Sequence, residues 1–179
     1  MGITVVSRRR SLARIEAEHP GALILDVTSR GPQPWVRFSP FYPHGGIPVF
    51  GTPGVTSQSV EGVWQALKVF ERADVDPAKL AVTTMTNLKR TVRTNGAVRG
   101  HREGLHGERL LGYREARRLI YLPAYRWVLE NHLADLVAEL RGAGDVVLLD
   151  YTVNGDPDDL SSPLSHAALL GRHVAGDHP

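Results

Sequence analysis

The chain contains no cysteine among its 179 residues, so neither a disulfide nor a thiolate metal site can exist. It has little net charge: 21 Lys and Arg against 19 Asp and Glu leave a formal +2, too mild to demand a nucleic-acid partner. No apolar run is long enough to span a bilayer. Arg8-Arg9-Arg10 near the start is not followed by the apolar stretch of a signal peptide, which points to a cytoplasmic protein without a membrane partner. A P-loop, a dinucleotide fingerprint and a G-x-S-x-G elbow are all missing. The segment His101-Arg102-Glu103-Gly104-Leu105-His106 is no zinc signature. Its second residue is Arg, its histidines are five apart, and the P-C-x-x-C that completes a deaminase H-x-E cannot occur here. No metal and no other cofactor is expected.

What is present suffices for a globular core. The apolar share of 42% is ordinary, and the length suits a single domain over 1–179 with 172–179 as a flexible tail. Short strands are expected at 4–6, 22–27, 48–50 and 145–152, with 35–42 partly strand. Helices are expected at 11–18, from Ser59 through Phe70, from Asp76-Pro77 through Leu88, and over 108–141 as two helices meeting near Pro123, the second running 124–140. A last short helix covers 164–170. Residues 95–107 read as a long Gly-rich loop.

The most informative stretch is Phe38-Ser39-Pro40-Phe41-Tyr42-Pro43 followed by the helix Val60-Glu61-Gly62-Val63-Trp64-Gln65-Ala66-Leu67-Lys68. At 100° per residue, Glu61 and Lys68 point almost the same way, with Trp64 and Gln65 beside them. Val63, Ala66, Leu67 and Phe70 form a sufficient core stripe without Trp64. Ser59 suits the N-cap. The Glu, Trp, Gln and Lys face is read either as solvated surface or as a site. The two prolines stiffen Phe38, Phe41 and Tyr42, which are read either as a core corner or as a stacking wall for a planar ligand.

These two segments resemble the NADAR family, which includes the YbiA-like N-glycosidases. Its members show a segment like F-S-N-F-Y-P and, later, a helix like V-E-H-x-x-Q-A-x-K-F. Here Pro40 stands for the usual Asn, Gly62 for the usual His, and the closing W-G-x-G-like segment is not visible. The resemblance implies a single α+β domain of that kind, mainly helical with a small sheet. It implies cleavage of the N-glycosidic bond between a ribose and a base. The substrate would be a ribosyl-phosphate intermediate of the riboflavin pathway or an ADP-ribosylated guanine, free or within DNA. It further implies Lys68 as the nucleophile, which requires a neutral amine. Glu61 would move protons, Gln65 would orient sugar hydroxyls, and Phe38, Ser39 and Tyr42 would line the pocket; the place of Trp64 on the same helix face, and not the resemblance, has it pack against the base or ribose.

Two other clusters are candidates. Lys89–Arg118 holds nine Lys and Arg against three Glu, so Lys89, Arg90, Arg93, Arg99 and Arg102 are read as phosphate ligands or as solvated surface. Asp150, Asn154 and Asp156 lie at the C-terminal end of a strong strand and are read as ribose ligands or proton-transfer groups, or as turn chemistry. The alternative function is a non-catalytic module that binds ADP-ribose, a nucleotide or nucleic acid.

Overall fold

The computed structural model describes residues 2–179. In chain order the strands and helices are β1 (Ile3–Ser7), α1 (Leu12–Glu18), β2 (Leu23–Asp26), β3 (Ile47–Pro48), β4 (Thr56–Ser57), α2 (Val60–Leu67), β5 (Lys68–Phe70), α3 (Val92–Asn95), β6 (Val98–Arg102), β7 (Leu110–Leu111), α4 (Tyr113–Ala116), α5 (Leu122–Asn131), α6 (Ala134–Gly142), β8 (Val146–Asp150) and α7 (His166–Ala175). Trp35–Phe38 and Pro77–Ala81 are 3-10 turns, and Arg117–Tyr121 is a π-helical turn. The chain is α+β and forms two compact units. One comprises the residues up to Ser39 with Leu129–Pro179; the other is Pro40–Val128.

The first unit is built on a parallel sheet ordered β1-β8-β2. The apolar run Val146–Leu149 forms the middle strand, where both faces need covering. Val6, Ile15 and Val147 make a core cluster that Ala22, Ile24 and Leu149 extend. Helix α7 packs on β1, β8 and α6. It runs to Ala175 with Val174 buried, so the tail expected from 172 is helical over its first residues. Residues 35–38 are a 3-10 turn, where 35–42 was expected to be partly strand. Arg37 Nη2 donates to the His132 carbonyl at 3.0 Å within this unit.

The second unit is organised around α2, whose N-terminus is closed on both sides. The Ser59 hydroxyl accepts from the Gly62 N–H at 2.9 Å, and the Pro40 carbonyl accepts from the Glu61 N–H at 2.9 Å. The helix ends at Leu67, three residues short of the expected Phe70. Lys68 instead opens β5, the edge of an antiparallel sheet ordered β5-β6-β7. Two of those strands lie in or beside the segment expected to be loop. Gly100, at φ +148°, lets β6 approach β7 where a Cβ would sit 2.5 Å from the Leu111 carbonyl oxygen.

The helix expected over 77–88 is one 3-10 turn followed by irregular chain. The expected break at Pro123 does not occur: α5 runs through it, and the interruption falls at 132–133. The π turn over Arg117–Tyr121 accounts for this. It already breaks the regular hydrogen-bond ladder where a proline, lacking its N–H, would leave a gap.

Candidate active site

Within the Pro40–Val128 unit, Trp64, Lys68, Val98, Arg99, Gly100, His101, Gly112 and Tyr113 line a cavity of 380 Å³. The end of α2 supplies Trp64, and β5 supplies Lys68 one helical turn later. Strand β6 supplies Arg99 and His101, and the start of α4 supplies Tyr113. In the antiparallel ladder Lys68 lies directly opposite His101, and directly opposed residues put their side chains on one face of a sheet. The Trp64 ring packs on His101 with centroids 3.8 Å apart. Tyr121 meets Trp64 edge-on at 5.7 Å, and Tyr113 lies at 6.2 Å. The result is an aromatic wall with an amine set into it.

The electrostatics separate the two groups expected to do chemistry. Burial pushes the Lys68 ammonium below its ordinary value; the Glu61 charge opposes this, and Arg90 and Lys89 add to it. Glu61 is 7% exposed, and burial raises its carboxyl. The hydrogen bond from Gln65 and the charges of Lys89 and Lys68 only partly offset that rise. His101, 2% exposed, is pushed down to about 3 by burial and by the Lys68 charge, so it is neutral near pH 7. Its Nε2 is buried and has no hydrogen-bond partner.

Several expected ligands have other engagements. Gln65 is buried; its Nε2 donates to Glu61 Oε1 at 2.8 Å and its Oε1 accepts from the Arg90 N–H at 3.1 Å. Gln65 thus orients Glu61 and is a positioning residue. The Arg90 guanidinium donates to the carbonyls of Gln65, Lys68 and Asp74 at 3.1, 2.6 and 2.6 Å. It ties off the end of α2 and the start of β5, which fixes the backbone of Lys68. Lys89 is exposed, with its amine over the Phe41 ring at 5.5 Å. Tyr42 is half-buried against His44. In the basic segment, Arg102 pairs with Asp74, Arg99 with Glu71, and Arg109 with Glu103 and Glu115.

The remaining candidates belong to the other unit. Phe38 is fully buried and stacks on Trp35 at 6.3 Å; Ser39 is buried and its N–H donates to the Val36 carbonyl. Asp150 is buried against His166 and Ser165. The Asn154 amide donates to the carbonyls of Asp159 and Ser162, and its Oδ1 accepts from the Asp156 N–H, so it clamps the loop after β8.

The sequence did not single out His101, Tyr113 or Tyr121. His101 drew notice only as part of a metal-like string, because its segment reads as loop. Its place beside Lys68 follows from strand pairing, which leaves no local signal. Among the described residues, no group of three or more His, Asp or Glu side chains is arranged to hold a metal ion. Nor is any helix long and apolar enough to cross a membrane.

A family described as "Family of unknown function (DUF6939)" matches residues 7–170. The chain belongs to the DUF6939 family. No curated protein and no solved structure matches it. In this DUF6939 protein the cavity wall combines the Lys68 amine with the rings of Trp64, His101 and Tyr113.

Proposed function

We propose that this protein is an N-glycosidase that cleaves the bond between a ribose and a base through Lys68. The observation that carries this reading is the shift toward neutrality of two groups that feel each other's charge. An amine in the cavity wall is biased toward its neutral form, and a buried carboxyl that feels its charge is biased toward its protonated form. Burial disfavours the charged form of each group, and the neutral forms are those that a nucleophile and a proton donor need. The Lys68 lone pair attacks the anomeric carbon, and the bond to the base breaks. Glu61 gives its proton to the departing base and takes one from the new ammonium. Glu61 passes that proton to the ring oxygen as the sugar opens to an iminium and takes one back as water adds, which releases the sugar and the neutral amine. Trp64 and Tyr113 offer the planar surface that a base would stack on. The two motif segments that resemble NADAR proteins support the same substrate class, a nucleotide sugar or an ADP-ribosylated base, free or in DNA.

The test is release of free base, followed chromatographically, from ADP-ribosylated guanine DNA, a riboflavin-pathway ribosyl-phosphate intermediate and NAD. The wild type should release base from one of them, and Lys68→Ala should not. Release from none would overturn the reading.

One observation favours a non-catalytic binding module instead. At Gly62, where NADAR proteins usually carry His, a Cβ would lie 2.6 Å from Ser57 Oγ and 2.9 Å from the Lys79 carbonyl oxygen. No side chain fits at that motif position. Calorimetric binding of ADP-ribose without base release from any of the three substrates would select this second reading.

A further inference from the structure

We propose that Arg99 anchors a phosphate group of the ligand by giving up Glu71, which makes the cavity selective for phosphorylated over neutral planar molecules. This deepens the glycosidase reading and rests on the cavity around Lys68 being its ligand site.

Charge sets this cavity apart. Lys68 and Arg99 line it, and no lining carboxylate opposes them. His101 is neutral, and burial biases Lys68 toward its neutral form. Arg99 is therefore the lasting charge of the wall, because a guanidinium keeps its proton in proteins. It stands two residues along β6 from His101, the cross-strand partner of Lys68, or roughly 7 Å along the strand. A ligand whose reacting carbon meets the amine thus has the guanidinium within reach of a substituent a few bonds away. Arg99 is also poorly engaged. Its side chain is 58% exposed, and among the described residues its guanidinium makes no hydrogen bond; its charged neighbour is Glu71 Oε1 at 3.6 Å, beyond hydrogen-bond range. Glu71 is 49% exposed, and its other carboxylate oxygen accepts from the Ala97 N–H at 3.4 Å. An ion pair this open contributes little. The nearby arginines differ: Arg90 donates to three carbonyls, and Arg102 donates to both Asp74 carboxylate oxygens and to the Glu108 carbonyl. A phosphate monoester offers the Arg99 fork several oxygens and up to two negative charges, so it outcompetes one loosely held carboxylate. The Trp64 indole N–H and the Tyr113 hydroxyl also belong to lining side chains, but they are neutral and give no preference for a charged ligand; their rings serve the planar part.

The probes are pyridoxal 5′-phosphate and pyridoxal, which share an aldehyde and a ring and differ in the phosphate. The Lys68 nitrogen bonds to the aldehyde carbon and the aldehyde oxygen leaves as water. Cyanoborohydride then delivers hydride to the imine carbon, and the nitrogen keeps a solvent proton. Peptide mapping by mass spectrometry gives the labelling rate at Lys68 apart from Lys79 and Lys89. Comparing the ratio of the two rates between wild type and variants cancels the different intrinsic reactivities of the two aldehydes.

In Arg99→Met the phosphate-to-pyridoxal ratio should fall about fivefold or more. In Glu71→Gln it should rise about two- to fivefold, the worth of a half-exposed ion pair. Arg109→Met removes the same charge from a side chain outside the lining and should leave the ratio unchanged. A ratio unchanged in Arg99→Met, or lowered equally in Arg109→Met, overturns Arg99 as the anchor and leaves the Lys68 route standing. A ratio that does not rise in Glu71→Gln overturns the displacement of Glu71. Absence of any Lys68 adduct with either aldehyde overturns the reactive amine, and with it the glycosidase route as well.

Discussion

Replacing Asp150 with Asn tests the buried charge pair that closes the first unit. Asp150 Oδ2 lies 3.0 Å from His166 Nδ1 and accepts from the Ser165 hydroxyl at 2.8 Å; its Oδ1 accepts from the Tyr151 N–H at 2.7 Å. His166 Nε2 lies 2.8 Å from the Val27 carbonyl oxygen. Both ring nitrogens thus face acceptors, an arrangement that the imidazolium satisfies fully. Burial opposes the charge on each group, but their mutual attraction and hydrogen bonds prevail; Asp150 is lowered and His166 raised, with Asp26 adding to the rise. Asp26 is itself bridged to Arg8 at 2.6 Å.

The sign follows for each group. The Asp150 contribution is complete above its ordinary 3.8 and lost as pH falls through its lowered value. The His166 contribution is complete below its ordinary 6.5 and lost as pH rises through its raised value. The pair therefore stabilises most between these ordinary values. Removing one member of a buried pair costs about 3–5 kcal/mol, or roughly 6–20 °C in Tm for a chain of this size. Urea unfolding from pH 4 to 9 should show that loss for Asp150→Asn near pH 6, with a shallower decline toward pH 9 than the wild type. A loss no larger than the roughly 0.5 kcal/mol of a surface change would refute the reasoning.

Other expectations are independent of that pair. Glu61→Gln keeps the contact with Gln65 and removes a carboxyl whose folded value is raised. Wild-type stability should fall as pH climbs from 4.5 through that raised value, and the variant should lack this slope in urea titrations. Gly62→Ala should destabilise by about 1–3 kcal/mol, because its methyl group meets Ser57 and the Lys79 backbone; equal stability would mean that α2 can shift freely. Arg90→Met should free three carbonyls at the α2–β5 junction and lower Tm, while leaving any phosphate affinity of the protein unchanged by calorimetry.

The parts of this molecule legible in its sequence are those whose signal is local. The apolar runs at Leu23–Asp26 and Val146–Asp150 are strands, Ser59 caps α2, and the α+β class follows from the alternation of such elements. Trp64 and the Glu61–Gln65 pair were visible because α2 places them by simple periodicity, whereas Lys68, read as part of the same helix, opens β5. The sheet β5-β6-β7 was not visible. Val98–Arg102 is short, carries a glycine and two arginines, and owes its strand conformation to pairing with Lys68–Phe70. For that reason the aromatic wall was only half legible, and His101 was lost in what read as loop. The polar residues Gln65, Arg90 and Asn154 mislead in the opposite direction. Their types suit a ligand, yet each spends its donors on the protein's own backbone or on a neighbouring side chain, which spacing alone cannot reveal.

The proposed glycosidase route requires a covalent bond between Lys68 and a sugar. It is tested most directly by borohydride trapping and intact mass spectrometry with ADP-ribosylated guanine DNA, a riboflavin-pathway ribosyl-phosphate intermediate and NAD in separate incubations. A reduced sugar adduct should map to Lys68 with one of these and be absent in Lys68→Ala. Base release without any adduct on Lys68 would contradict the lysine route, and neither adduct nor release would contradict the glycosidase itself.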